Sequence, residues 1–119
     1  MANAGARTRA VAAEIVDAVV TGGQSLDAAI ARNESRVAPN DRSLLRMLCF
    51  GTLRNHWRLQ SWISELISRP LKRRDSVINA LLAIGLFQLV DTRIPDHAAV
   101  SQTVEAARIA RSMNERMRW

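Results

Sequence analysis

Apolar residues recur along this chain with the period of amphipathic α-helices, and the alternations typical of β-strands are few. Val11, Ile15 and Val19, for example, form one stripe of a helix. The pattern predicts an all-α domain of about six helices, and Met1–Arg7 is expected to fray. The first predicted helix spans about Thr8–Thr21, the second is short and capped by Ser25, and the third opens at Asn40 or Asp41. The fourth helix, or a kinked continuation of the third, ends at Pro70. The fifth spans about Asp75–Asp91, and the sixth starts at Pro95–Asp96.

The fifth predicted helix is apolar on nearly every side, most densely over Leu81–Leu89. A helix of this kind belongs at the centre of a domain, with neighbours on several faces. Gly85 lies in its middle and costs about 1 kcal/mol of helix propensity relative to alanine. We therefore expect another backbone to approach closely at Gly85.

Length and composition fit one domain with its own hydrophobic core. The chain has 119 residues, of which 48% are hydrophobic and only 4% aromatic, so aliphatic packing should dominate. Its single cysteine, Cys49, lies on the apolar stripe of the third predicted helix. We expect Cys49 to be buried and structural, and the absence of a disulfide framework to indicate a reducing compartment.

The chain shows no pattern of a secretory signal peptide, because Glu14 and Asp17 interrupt the apolar residues near its start. The longest apolar run, Val77–Val90, contains Asn79 and Gln88 and is too short to span a bilayer. We expect a soluble, cytoplasmic protein with no membrane partner.

The charge balance is basic, with 17 basic and 11 acidic residues and a formal net charge of +6. Lys72 is the only lysine, so the other basic residues are arginines, whose planar forks suit phosphate groups. A basic excess of this kind favours a polyanionic partner such as RNA.

Three sets of basic residues are candidate RNA contacts. If folding brings them together, they form one footprint for a phosphate backbone; otherwise they are separate solvated patches, or single arginines paired with carboxylates. The sets are Arg7 and Arg9 at the start of the first helix; Arg42, Arg46, Arg54 and Arg58, which recur with Phe50 at every fourth residue as a ridge; and Lys72, Arg73 and Arg74 in a connection.

Other chemistry has little support in the sequence. Gly22 and Gly23 follow a helix and do not join a strand to a helix, so they do not resemble a phosphate-binding loop. His56 and His97 lie in different segments without a matching set of metal ligands, and the carboxylates are scattered singly. We predict no catalytic residue and no metal site.

Several segments resemble a known family. Leu48–Arg54 is similar to the L-C-[FY]-G-x-L-R motif of the bacterial 16S rRNA cytosine-5 methyltransferase family RsmB, also called Sun or Fmu. Gly85–Leu89 and Arg93–Val100 are similar to its G-L-[YF]-Q-L and R-I-P-x-H-A-A-V motifs. Shorter matches are Gly23–Leu26, Arg69–Leu71 and Thr103–Glu105.

The resemblance implies that residues 1–119 are the N-terminal domain of that family, which has the NusB-like all-α fold. It implies an RNA-binding accessory domain that helps an adjoining catalytic domain engage 16S rRNA. In the family, S-adenosylmethionine and the catalytic cysteines belong to that other domain, and Cys49 matches neither cysteine. No cofactor is therefore expected in this chain.

Two alternatives remain open. The chain could be a stand-alone NusB-type transcription antitermination factor that binds RNA with a protein partner. Alternatively, it could have a purely structural role, packing on its catalytic domain with little contact to RNA.

The family's last helix, with a V-N-[AG]-V-L-R type motif, has no match in this chain, so we expect a C-terminally truncated domain. Its absence is expected to uncover an apolar groove on the fifth and sixth helices. Because exposed apolar patches tend to find partners, we expect homo-oligomers to form through this groove.

Overall fold

Six α-helices follow one another in the computed structural model, which describes the backbone of residues 3–117 and the side chains of residues 3–111. No strand occurs within residues 3–117, which confirms the all-α prediction. Short 3₁₀ turns lie at Glu34–Arg36, Pro39–Asp41 and Arg73–Asp75. The helices are α1 (Ala4–Val20), α2 (Leu26–Asn33), α3 (Arg42–Arg54), α4 (His56–Leu66), α5 (Ser76–Asp91) and α6 (Asp96–Met117).

Helix α1 begins at Ala4, so the expectation that the chain frays as far as Arg7 is wrong. The side chain of Asn3 accepts hydrogen bonds from the backbone N–H groups of Gly5 at 3.1 Å and Ala6 at 3.3 Å. This cap satisfies two of the donors that a helix leaves free at its start. Thr8, the predicted start of this helix, is instead buried inside it.

Helix α1 packs against α2, α3, α5 and α6 and is the centre of the domain. Its buried face is rich in small residues, including Ala6, Ala10, Ala12 and Ala13, which allow neighbouring helices to approach closely. Helix α5 also contributes to the core, yet Leu82, Leu89 and Val90 on its outer side are exposed. Helix α5 nevertheless contacts α1, α3, α4 and α6, which confirms the prediction of neighbours on several faces.

No backbone approaches Gly85 as closely as expected, and the tightest glycine contact is with a side chain at Gly51. A Cβ atom on Gly85 would lie 3.4 Å from Cγ2 of Thr103, which is an ordinary van der Waals contact. A Cβ atom on Gly51 would lie only 1.9 Å from Cζ of Phe87 and would overlap this end of the aromatic ring. Gly51 thus permits α3 to pack on α5 at the distance observed.

Cys49 is fully buried between α3 and α1, as predicted. Its Sγ lies 3.9 Å from the backbone oxygen of Ala12. Burial raises the pKa of the Cys49 thiol to about 12, so the thiol stays protonated at neutral pH. A protonated, inaccessible thiol is a poor nucleophile, which agrees with a structural role.

Candidate nucleic-acid interface

The 3₁₀ turn Glu34–Arg36 gathers arginine side chains from two helices. Nε of Arg7, on α1, donates to the backbone oxygen of Arg36 at 2.8 Å. Nε of Arg42, in the first turn of α3, donates to the backbone oxygen of Glu34 at 3.3 Å. Nη2 of Arg46, one turn further along α3, donates to Oε2 of Glu34 at 2.8 Å. The turn therefore positions three guanidinium groups at the junction of α1 and α3.

Arg36 completes this group, which we call the arginine cluster: Arg7, Arg36, Arg42 and Arg46. Nη2 of Arg36 lies 2.7 Å from Oε2 of Glu14, and its Nη1 donates to Oδ1 of Asn33 at 3.1 Å. Four positive charges thus meet two contacting carboxylates, those of Glu14 and Glu34, and the local balance is positive. Arg36 was not among the RNA contacts predicted from the sequence, because nothing in the spacing shows that this turn lies against α1.

The ridge predicted along residues 42–58 is interrupted near its end. Helix α3 ends at Arg54, Asn55 has φ −103° and ψ 18°, and α4 begins at His56. Arg54 is exposed and has no ion pair among the described residues. Arg58 instead forms an ion pair with Asp91 at the end of α5, and its guanidinium carbon lies 5.1 Å from the centre of the Trp62 ring.

Arg9 does not join the arginine cluster. The prediction that it contacts RNA is wrong, because the residue is buried. The residue is only 4% exposed. Its Nε donates to Oε1 of Gln88 at 2.8 Å, and its Nη1 donates to the backbone oxygen of Gly5 at 3.0 Å. Burial lowers the pKa of the Arg9 guanidinium below its usual value. Arg9 therefore ties α1 to α5 inside the domain.

The basic run Lys72–Arg74 is exposed but lies far from the arginine cluster. Lys72 and Arg73 border a cavity together with Thr21, at the C-terminal end of α1, whereas Arg7 lies near the N-terminal end. With a rise of 1.5 Å per residue, these two ends are separated by about 20 Å. The fold thus unites Arg7 with the first arginines of α3 and leaves Lys72–Arg74 as a separate patch.

Two aromatic side chains on the α3–α4 segment face solvent. Phe50 is 44% exposed, so it does not pack in the core, and Trp57 is 83% exposed. Sequence analysis did not single out Trp57. One signal was available: the chain carries four arginines and no carboxylate between Asp41 and Glu65.

A second surface is an apolar groove between α4, α5 and α6, enclosing about 200 Å³. Leu66, Leu82, Leu89, Val100 and Val104 line it, and each of them is exposed. The groove lies where the sequence predicted an uncovered face of α5 and α6.

No group of three or more His, Cys, Asp or Glu side chains within the described residues is placed to hold a metal ion. Among the same residues, no helix combines the length and apolar character needed to cross a membrane.

The sequence model of the NusB family matches residues 6–116. The chain is also similar to ribosomal RNA small subunit methyltransferase B of Yersinia pseudotuberculosis serotype O:1b (strain IP 31758) and of Yersinia pestis bv. Antiqua (strain Angola). Each is 42% identical over 101 residues, which cover 85% of this chain and 24% of the relative. The chain thus spans about a quarter of the length of these curated relatives. Because the family model covers all but the ends of the chain, this protein belongs to the NusB family.

Proposed function

We propose that this chain is an RNA-binding accessory domain that helps a ribosomal RNA methyltransferase domain engage 16S rRNA. The observation that carries the proposal is the arginine cluster, in which four guanidinium groups and only two contacting carboxylates meet around the turn Glu34–Arg36. The relatives named as ribosomal RNA methyltransferases favour ribosomal RNA as the ligand. We place the protein in the cytoplasm, where it would meet that RNA.

The arginine cluster is suited to phosphate because its contacts leave donors unused. A guanidinium group carries five N–H donors in a fixed fork. The contacts described for Arg7, Arg42 and Arg46 use one nitrogen each. Anchoring by the turn's oxygens also reduces the rotamer freedom that these side chains would lose on binding RNA.

The methylation chemistry is assigned to the adjoining domain. Cys49 is the one cysteine of this chain, and its thiol is buried and protonated. We therefore expect S-adenosylmethionine and the catalytic nucleophile to belong to the methyltransferase domain. A stand-alone antitermination factor would use the same basic surface, but the identity to methyltransferases favours the first assignment.

Replacing Arg42, Arg46 and Arg54 together by glutamine is expected to weaken RNA binding and flatten its salt dependence. For single-stranded RNA, each lost phosphate contact should reduce the slope of log K against log salt by about 0.7, so three losses give a change of about 2. The measurement is fluorescence anisotropy with a labelled fragment of 16S rRNA at several salt concentrations.

The matched control replaces Lys72, Arg73 and Arg74 by glutamine, which removes the same charge from the distant patch. This variant should retain most of the slope. Equal slopes for wild type and the α3 variant would show that the arginine cluster and Arg54 are not the footprint. Thermal melts of both variants verify folding, and loss of the exposed Arg46–Glu34 pair should cost less than about 1 kcal/mol.

We further propose that the isolated chain self-associates through the apolar groove. Leu66 is 69% exposed at its rim, and a second copy offers a matching apolar surface under two-fold symmetry. Eleven described residues line the groove, against roughly 20–30 residues per side in stable complexes, so the association should be weak.

Light scattering should therefore show the average mass rising above that of a monomer as concentration approaches about 1 mM. Val104→Glu, in the groove, should return the chain to a monomer, because pairing would bury a charge. Val20→Glu is the control, since Val20 is equally apolar and exposed but lies outside the groove. A wild-type monomer throughout this range would refute self-association.

A further inference from the structure

Trp57, in the first turn of α4, is the most exposed large apolar side chain in the described part of the chain, at 83%. Its ring packs against His56, with ring centres 4.9 Å apart and planes inclined by 71°. This contact is edge-to-face and covers little of the indole. The flat face of the indole is therefore accessible to a ligand, and covering it would remove apolar surface from water.

Phe50 and Trp57 lie on two consecutive helices that are joined by the single residue Asn55. The N–H of Asn55 donates to the oxygen of Gly51 at 3.2 Å and closes the last turn of α3. The N–H of Leu59 donates to the oxygen of Asn55 at 2.9 Å and opens α4. Both exposed aromatic side chains therefore belong to one short segment, on either side of the break between α3 and α4.

The charges around this aromatic pair indicate an anionic partner. Arg54, between Phe50 and Trp57, is exposed and has no ion pair among the described residues. Arg46 lies one helical turn before Phe50 and extends the surface towards the arginine cluster. No carboxylate occurs in the sequence from residue 42 to residue 64.

We infer that Trp57 and Phe50 form a base-stacking site, and that the RNA bound here presents unpaired bases. The inference rests on the proposed RNA-binding function and specifies its ligand. Unstacked bases lie on aromatic side chains, while arginines between them contact the backbone. A fully paired helix hides its base faces and would contact only the arginines. Trp57 is not part of the apolar groove, where a protein partner would find continuous apolar surface.

The experiment compares Trp57→Ala, Trp57→Phe and wild type with two probes of equal length: a 12-nucleotide single-stranded RNA of mixed sequence and a blunt-ended RNA duplex of the same sequence with its complement. Trp57→Ala should weaken single-strand binding about tenfold, since one stacked base is lost. The salt slope should stay the same because no phosphate contact is lost. Duplex affinity should be unchanged, and Trp57→Phe should retain most of the single-strand affinity.

Leu66→Ala is the matched control, because Leu66 is another exposed apolar residue on α4 but lies at the groove. It should leave the affinity for both probes unchanged. Tryptophan fluorescence gives a second readout: single-stranded RNA should quench the wild type and quench Trp57→Phe much less.

The outcomes separate this inference from the proposed function. If wild type binds both probes and Trp57→Ala matches it, the stacking site is refuted while RNA binding stands. If wild type binds neither probe, both proposals fail. Equal weakening for both probes would also overturn stacking. Stacking would also be overturned if Trp57→Ala weakened only the binding of this chain to a methyltransferase domain. That result would make Trp57 a contact with protein and not with RNA.

Discussion

Replacing Gly51 by alanine is expected to lower the free energy of unfolding by about 2–3 kcal/mol, because the new methyl group would overlap the ring of Phe87. The added Cβ would lie 1.9 Å from Cζ and 2.5 Å from both Cε atoms of that ring. Phe87 is itself buried, so its ring has little space into which it can move. Helix propensity acts in the opposite direction by about 1 kcal/mol, and the steric overlap outweighs it.

Gly85→Ala is the matched control, since it makes the same chemical change inside a helix. Its Cβ would meet Thr103 at ordinary contact distance, so the propensity gain should dominate and stability should rise by up to about 1 kcal/mol. Urea unfolding followed by circular dichroism measures both variants. Equal effects at the two glycines would contradict the packing described for α3 and α5.

Phe87→Leu should restore part of the stability lost in Gly51→Ala, because it removes the ring that the new methyl group overlaps. Alone, Phe87→Leu should be destabilising by removing buried ring contacts. Helix α3 carries Arg42, Arg46 and Phe50, so the Gly51–Phe87 contact also determines where the candidate RNA surface lies relative to the core.

Replacing Gln88 by leucine is expected to cost about 3 kcal/mol, because it leaves the buried guanidinium of Arg9 without its side-chain partner. Gln88 is fully buried and accepts from Nε of Arg9 while its Nε2 donates to Oγ1 of Thr103 at 3.0 Å and to the oxygen of Ile84 at 3.1 Å. One amide thus connects α1, α5 and α6. No carboxylate contacts Arg9 among the described residues.

A double-mutant cycle with Arg9→Met isolates this interaction. Each single change leaves one buried polar group without its hydrogen-bond partner. Arg9→Met combined with Gln88→Leu replaces both partners by apolar side chains. The double variant should therefore be about 1–3 kcal/mol more stable than the sum of the single effects implies. Additive losses in urea unfolding would show that Arg9 and Gln88 do not depend on each other.

Arg7 and Arg9 illustrate what a linear pattern leaves undecided. Both lie in the first two turns of α1 and both are arginines, so the sequence suggested one role for them. Two residues apart on a helix, they project about 200° from each other. Helix α1 packs against α2, α3, α5 and α6, and this packing leaves Arg7 exposed and buries Arg9.

Local physics was sufficient for much of the fold. The 3.6-residue period, the Ser25 cap and the entry of α6 after Pro95 each depend on residues within one or two turns. The prediction of six helices is therefore confirmed over residues 3–117, with α5 beginning within one residue of its predicted start. The motifs that resemble the methyltransferase family likewise needed only the order of residues, and the family match agrees with them.

The sequence by itself thus determined the helical class, most helix bounds, the family and the basic excess. Only the tertiary structure decided which basic residues share a surface, which glycine is indispensable and which aromatic side chain faces water. Those outcomes depend on contacts between residues far apart in the chain, such as Arg7 with Arg36, Gly51 with Phe87 and Arg9 with Gln88. The hydrophobic period shows which face of each helix points inward. The packing of the helices determines which residues of other helices that face contacts.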